Sequence, residues 1–358
     1  MVGALVFGPL TDRFGRRLLM IADLGVFVIA SLLQFVVTEL WELIALRVVL
    51  GIAIGADYPI AGGLISEYMP ARLRGAGVNS MQVVWFLGAM IAYIIGALLF
   101  ARADAWRWIL ASSAVPAAIG LGLRSTAPES VRWLMTRGRI AEAHAVLRKH
   151  FDAATETFVE TPRVNASSLF SMPLVGRLVF VSAMWLLQVV PLFAMYTFAP
   201  VVLDALHISA SSAVGSVAIT AGFLAGSVLS MWLVERWGRR PLCIAGFAIA
   251  TLVFALVAHV SPAAVVALFV VYAIAIGGAA GLELVYPAEL FPTALRASAT
   301  GIATAVSRVG AFAGTFALPL ALAHFGVTSV MLANAALSCI GLVISIRFAP
   351  ETRGRQFV

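Results

Sequence analysis

Charge is scarce in this chain. Only 11% of its 358 residues are charged, and it has two cysteines and five histidines. A soluble globular domain carries about a quarter charged residues, so an ordinary water-soluble fold is excluded. Cys243 and Cys339 stand in separate apolar segments without ligand spacing, which argues against a disulfide framework or a zinc site. His144, His150, His207, His259 and His324 are scattered and form no cluster. No GxSxG elbow, Walker loop or dinucleotide fingerprint occurs. An enzyme is therefore not expected, nor a cofactor or a metal, and there is no room for the nucleotide domain of an ATP-driven pump.

What fills the chain is apolar: 62% of it is hydrophobic. The apolar runs are about 20 residues long, enough to cross a hydrocarbon core of roughly 30 Å. The predicted spans are 18–38, 41–66, 75–100, 106–124, 177–203, 211–234, 241–260, 263–290, 296–322 and 326–347, with a partial span at 1–11. Arginines fall on alternate loops, at Arg13, Arg16, Arg17, Arg72, Arg74, between 124 and 177, and at Arg236, Arg239, Arg240, Arg296, Arg353 and Arg355. Basic residues near helix ends stay in the cytoplasm, so those loops, the central segment and the C-terminus are expected on that side of the cell's inner membrane. Arg102 and Arg107 run against the trend. The net charge of +7 thus reflects membrane topology, and no nucleic-acid partner is expected.

The sequence also repeats itself. TDRFGRR at 11–17 returns as VERWGRR at 234–240, SEYMPARLRG at 66–75 returns as AELFPTALRA at 288–297, and PES at 128 returns as PET at 350, all at offsets of 222 or 223 residues. Three short motifs in one order at one spacing indicate two homologous halves. Duplicated helical bundles around a midplane site are the usual build of secondary transporters. The offset places the partners of span 177–203 and of most of span 211–234 before residue 1, so one helix and about half of another are expected to be missing from the first half. The expected division is a first, incomplete bundle at 1–124, cytoplasmic amphipathic helices and a linker at 125–176, a six-helix bundle at 177–347 and a tail at 348–358. Within 125–176, Trp133, Leu134, Ala141, Ala145, Val146 and Leu147 are predicted to share an apolar helical face.

GPLTDRFGRR at 8–17 resembles the loop signature between the second and third helices of the major facilitator superfamily, and Arg47 with Gly51 and Gly55 resembles its fourth-helix pattern. PESVRWLMTRGR, the two ExxPxxxR repeats and PETRGR resemble the sugar porter branch. GADYPIAG at 55–62, WLLQVVPLFAMYTFAP at 185–200 and YPAELFPTALRAS at 286–298 are most similar to bacterial proton-linked metabolite symporters within it. The resemblance implies an all-α membrane fold of two six-helix bundles, a small-molecule substrate, protons and the lipid bilayer as partners, and a monomer. It also implies a cytoplasmic gate made of Asp12, Arg16, Glu67, Arg74, Glu129, Glu235, Arg239, Glu289, Arg296 and Glu351. Arginine and carboxylate form bidentate charge-assisted bonds that can latch helix ends. The spacing pairs Glu67 with Arg74 and Glu289 with Arg296. The alternative is topology arginines with acidic caps nearby.

Ionisable groups inside a span cost at least ~2.5–3.5 kcal/mol, so those present usually have a use. Asp57, deep in its span, is the first candidate for proton coupling, with Glu283 in the second half and Arg47 beside them; Asp23 lies nearer the start of its own helix. A permanent bridge from Asp57 to Arg47 or Arg308 is the alternative. By the resemblance, Arg47 faces an acid on the first helix. Candidate substrate-binding residues are Gln82 and Trp85 on one helix face, Gln188 and Tyr196 two turns apart on another, and Arg308. Gln188 occupies the place of the sugar porters' glutamine motif, with Leu187 where that motif has a second glutamine. The expected function is proton-coupled symport of a small organic acid or sugar-like metabolite by alternating access. Efflux by proton antiport and a non-transporting membrane sensor are the alternatives; no proline lies in 75–100, where exporters of the superfamily carry a Gly-Pro motif.

Overall fold

A computed structural model describes residues 1–69, 73–99, 104–150, 169–172, 174–205, 212–257 and 259–354. These are helical, in the order α1 (Val2–Phe14), α2 (Arg16–Val36), α3 (Leu40–Tyr68), α4 (Arg74–Leu99), α5 (Ala105–Ser112), α6 (Ala114–Ser125), α7 (Val131–Thr136), α8 (Ile140–His150), α9 (Leu174–Ala205), α10 (Ser212–Arg236), α11 (Arg239–Val257), α12 (Pro262–Ala280), α13 (Leu282–Leu290) and α14 (Thr293–Phe348). No strand occurs among them. Nine stretches of these helices are long and apolar enough to cross a membrane.

Each helix starts and stops for local reasons. Glu39 and Glu42 form a reciprocal capping box at the start of α3. Pro262 opens α12, where its missing N–H costs nothing. Gly15 and Gly238, both at positive φ, turn the chain sharply into α2 and α11. The predicted span 106–124 is divided at Ser113 into α5 and α6. The spans predicted at 296–322 and 326–347 follow one another through α14, broken at Gly326, where φ is 74°.

The chain forms two compact units: residues 1–69, 99–171 and 291–305 in the first, and 70–98, 172–290 and 306–358 in the second. In the first, α1 crosses α3 with glycine at the contact, since a Cβ on Gly3 would stand 2.0 Å from the Ile52 carbonyl oxygen and one on Gly55 would stand 2.9 Å from the Ala4 nitrogen. In the second, α10 crosses α12 in the same way, Gly226 against the Ile274 oxygen at 2.1 Å and Gly277 against the Phe223 oxygen at 2.3 Å. The offset that relates the loop motifs also relates these crossings, so the duplication extends to helix packing. The core of the second unit is aromatic, with Phe86, Phe223, Phe254, Phe269 and Tyr272 fully buried. Gly226→Ala is expected to cost about 1–3 kcal/mol, because backbone must move. Gly25→Ala, where the new Cβ meets nothing within 4 Å, is the control and should leave the unfolding midpoint in detergent unchanged or slightly raised.

The amphipathic helices sit in the first unit as α7 and α8, packed through Val131, Leu134 and Ala143. The predicted face needs correction here. Ala141 and Ala145 are exposed and Ala143 is buried, because the positive-φ Gly138 separates the two helices and resets the phase of the pattern.

Candidate functional site

In the second unit the GRR turn is the centre of a charge cluster. Gly238 brings the first amides of α11 towards the PET segment, and the Glu351 carboxylate accepts from the Arg239 and Arg240 amides at 3.1 Å each and from the Arg353 amide at 2.8 Å. A carboxylate at a helix start satisfies orphan N–H groups and meets the positive end of the helix dipole. The Arg239 guanidinium is buried and forks between two acids, 2.6 Å from Glu289 and 2.9 Å from Glu235. Glu289 also accepts from the Thr352 hydroxyl, and Glu235 from the Ala76 amide at 3.2 Å. Arg353 reaches back to the Arg236 carbonyl at 2.7 Å.

The first unit repeats the backbone part of this design. After Gly15, Glu129 of the PES segment accepts from the Arg16 amide at 2.9 Å and the Arg17 amide at 3.2 Å. Arg17 donates to the Ser125 carbonyl at 2.8 Å, and the Tyr68 hydroxyl to the Glu129 carbonyl at 2.7 Å. Arg16 is buried. The side chains of Asp12, Glu67 and Arg74 lie outside the described residues. The pairing of Glu289 with Arg296 suggested by spacing is replaced: Glu289 pairs with Arg239, which α11 presents to α13, and Arg296, also buried, donates to the Phe291 carbonyl at 3.4 Å.

Glu351 offers a pH test. Its burial raises the pKa, but the three backbone N–H bonds and Arg239 outweigh that, and the net shift is downward. A depressed folded-state pKa gives stability that is present above the ordinary glutamate value of 4.5 and lost as pH falls through the folded value. The stability difference between the wild type and Glu351→Gln, read from unfolding midpoints, is expected to be largest at neutral pH and to shrink below that value.

Within the spans of the first unit, Asp57 on α3 pairs with Arg124 on α6, at 2.5 and 3.4 Å. Arg124 takes the place that the sequence reading offered to Arg47 or Arg308. Arg124 sits in the last turn of α6, where a long side chain can reach back along the helix. Arg47 is on an exposed part of α3, and no ion pair reaches it among the described residues. In the second unit, Glu283 is buried beside Trp185 and within electrostatic reach of Arg308, whose guanidinium also lies 5.7 Å from the Phe193 ring.

The substrate-binding candidates all fall in this second unit. Trp85 of α4 meets Tyr196 of α9 with ring centroids 5.6 Å apart, and Tyr93 packs on Tyr196 and donates to its carbonyl at 2.5 Å. Gln82, one turn before Trp85, and Gln188, two turns before Tyr196, are buried. The Gln188 amide nitrogen has no hydrogen-bond partner among the described residues, as does the Asn79 side-chain oxygen. A buried donor left open is costly. Sequence reasoning passed over Asn79, whose amide donates to the Ser227 carbonyl at 3.3 Å and occupies space that any side chain at Gly281 would fill. It also left Arg124 among the loop arginines. The GLEL segment that leaves this space for Asn79 was the available signal for the first, and nothing in the sequence marked the second.

The whole chain, residues 1–358, matches the family model described as sugar (and other) transporter. It is 38% identical to the metabolite transport protein YaaU of Escherichia coli strain K12 over 99% of this chain and 81% of that protein. It is 33% identical to the inner membrane metabolite transport protein YgcS of the same strain, over 100% of this chain and 81% of the relative. Among solved structures, the proton:xylose symporter XylE bound to 6-bromo-6-deoxy-D-glucose, of the major facilitator superfamily, superposes with a TM-score of 0.84 at 23% identity, over 99% of this chain and 85% of that one.

Proposed function

This chain belongs to the sugar (and other) transporter family, with the major facilitator fold, and on that premise we propose that it is a proton-coupled symporter of a small polar metabolite. It is a multi-pass membrane transporter and not an enzyme. The observation that carries the proton reading is the Asp57–Arg124 pair inside two spans, with side chains 35% and 28% exposed. Charges kept inside spans are costly and are retained for a use, and an ion pair that ties two spans together is one that a proton arriving nearby can redistribute. Glu283 near Arg308 supplies a second such acid, and Arg47 a further cation on α3.

The substrate is an organic acid or sugar-like molecule held by Gln82 and Gln188, walled by Trp85 and Tyr196, with Arg308 as a further binding residue. The open amide nitrogen of Gln188 supports a ligand that brings an acceptor. The gate comprises Asp12, Arg16, Glu67, Arg74, Glu129, Glu235, Arg239, Glu289, Arg296 and Glu351, on the cytoplasmic side with the C-terminus and central segment, in a monomer in the inner membrane. Substrate shifts the protein between states by binding them with different affinity.

Uptake into proteoliposomes under an inward proton gradient tests this, using a panel of labelled sugars and organic acids. Gradient-dependent accumulation of a panel member, lost in Asp57→Asn, is expected. Accumulation that ignores the gradient, or proton-driven loss of preloaded compound, would replace symport by facilitation or efflux.

A further inference from the structure

Asp23 is an acid that the pairing of Asp57 with Arg124 leaves over. It is the eighth residue of α2, about 10 Å along the helix from its start, and its residue is 7% exposed. α2 packs against α3, which carries Asp57, and against α6, which carries Arg124. The α2–α6 approach is close beside it: Leu24 touches the position of Gly120, one turn before Arg124. Asp23 is within electrostatic reach of both Asp57 and Arg124. The other neighbours of α2 offer it no counter-ion among the described residues. Arg107 of α5 is at the far end and donates to the Phe35 carbonyl at 2.9 Å, while the Asp12 and Arg13 side chains of α1 lie outside the described residues. Glu129 is occupied at the start of α2 by the Arg16 and Arg17 amides.

Two carboxylates therefore lie within electrostatic reach of one guanidinium. Asp57 holds it through two contacts, whereas Asp23 makes no hydrogen bond or ion pair among the described residues. A buried carboxylate without a partner costs several kcal/mol when ionised, and the cheapest remedy is to keep a proton. Like charges sharing a site divide in this manner, one ionised and one protonated.

We infer that Asp23 is the residue that carries the proton, with Asp57 acting as the ionised partner that keeps Arg124 away from it. The proton binds a carboxyl oxygen of Asp23. When it passes to water, that O–H bond breaks and the new carboxylate competes with Asp57 for the guanidinium, so that proton release redistributes an ion pair that ties α3 to α6. Asp57 is then a positioning residue. The role of this site in transport rests on the proton-coupled reading above, but the protonation itself does not.

Infrared spectroscopy of the full chain in lipid nanodiscs, titrated with pH, tests the inference without any substrate. One component of the protonated-carboxyl carbonyl stretch is expected to disappear in Asp23→Asn and to remain in Glu283→Gln, which removes another buried acid. In Asp57→Asn, Arg124 is freed to turn to Asp23, so the same band should persist but be lost at lower pH than in the wild type. If Asp23→Asn does not insert stably, Asp23→Glu should keep a protonated band at a shifted frequency. A band untouched by Asp23→Asn, or one removed by Asp57→Asn at every pH, overturns the assignment. The expected bands together with uptake that ignores the proton gradient would leave the protonation site standing and remove the symport reading. Gradient-driven uptake with no Asp23 band would do the reverse.

Discussion

Arg239→Ala is expected to destabilise the protein by about 3–5 kcal/mol, the range for removing one partner of a buried ion pair. The guanidinium is 3% exposed and Glu289 2%, so the acid left behind has little water to replace its partner. Glu235, now close to Glu289 without a cation between them, adds repulsion. Thr352 remains on Glu289, and the Ala76 amide on Glu235, but two neutral donors do not neutralise two charges. Lysine is a poor substitute. It brings the charge but not the fork that spans both carboxylates and the Val234 carbonyl. Arg239→Lys is expected to recover only part of the loss. The acids can also escape by taking up protons, so the deficit of Arg239→Ala should shrink as pH falls. Denaturation midpoints in detergent across pH measure all three effects. A deficit below 1 kcal/mol at neutral pH, or one that grows in acid, would show that the cluster is held by its backbone bonds to Glu351 alone.

Much of this cluster is legible in the sequence because it is repeated. GRR and PE[ST] recur at one offset, and each turn does the same thing: a positive-φ glycine, two amides at a helix start and a carboxylate from a distant loop. Gly3 and Gly226 likewise recur, with Ile52 and Ile274 as the backbone each one meets. What is not legible is the partner of a long side chain. Glu289 looks paired with Arg296 because seven residues place them in one motif, yet a proline at 292 and the start of α14 intervene, and α11 supplies Arg239 instead. Arg124 reads as a loop arginine because it ends an apolar run, and its choice between the loop and Asp57 depends on how α6 packs beside α3. The phase of α8 fails for a related reason. One glycine at 138 breaks the helix, and a single periodic pattern drawn through it points Ala141 inward where Ala143 belongs.

Arg124→Leu separates what the membrane-embedded pair does for stability from what it does for transport. Leucine suits a span, but Asp57 loses its cation, and Asp23 loses the charge for which its carboxylate competes. Since Asp57 and Arg124 retain about a third of their exposure, the stability loss should fall short of the fully buried range, at about 1–3 kcal/mol. Transport should suffer far more, with gradient-driven accumulation reduced to that of protein-free liposomes, because Asp23 then has no guanidinium to meet its carboxylate when the proton leaves. Replacing the whole pair, as Arg124→Leu with Asp57→Leu, removes the uncompensated acid, and buried pairs exchanged for apolar residues often lose nothing in stability. The double variant is therefore expected to regain most of the unfolding midpoint while accumulation stays at background. Recovery of both would mean that the pair only ties α3 to α6. Recovery of stability alone means that the charges are kept in the membrane for what a proton does to them, which is the reason a lipid-embedded protein tolerates their cost.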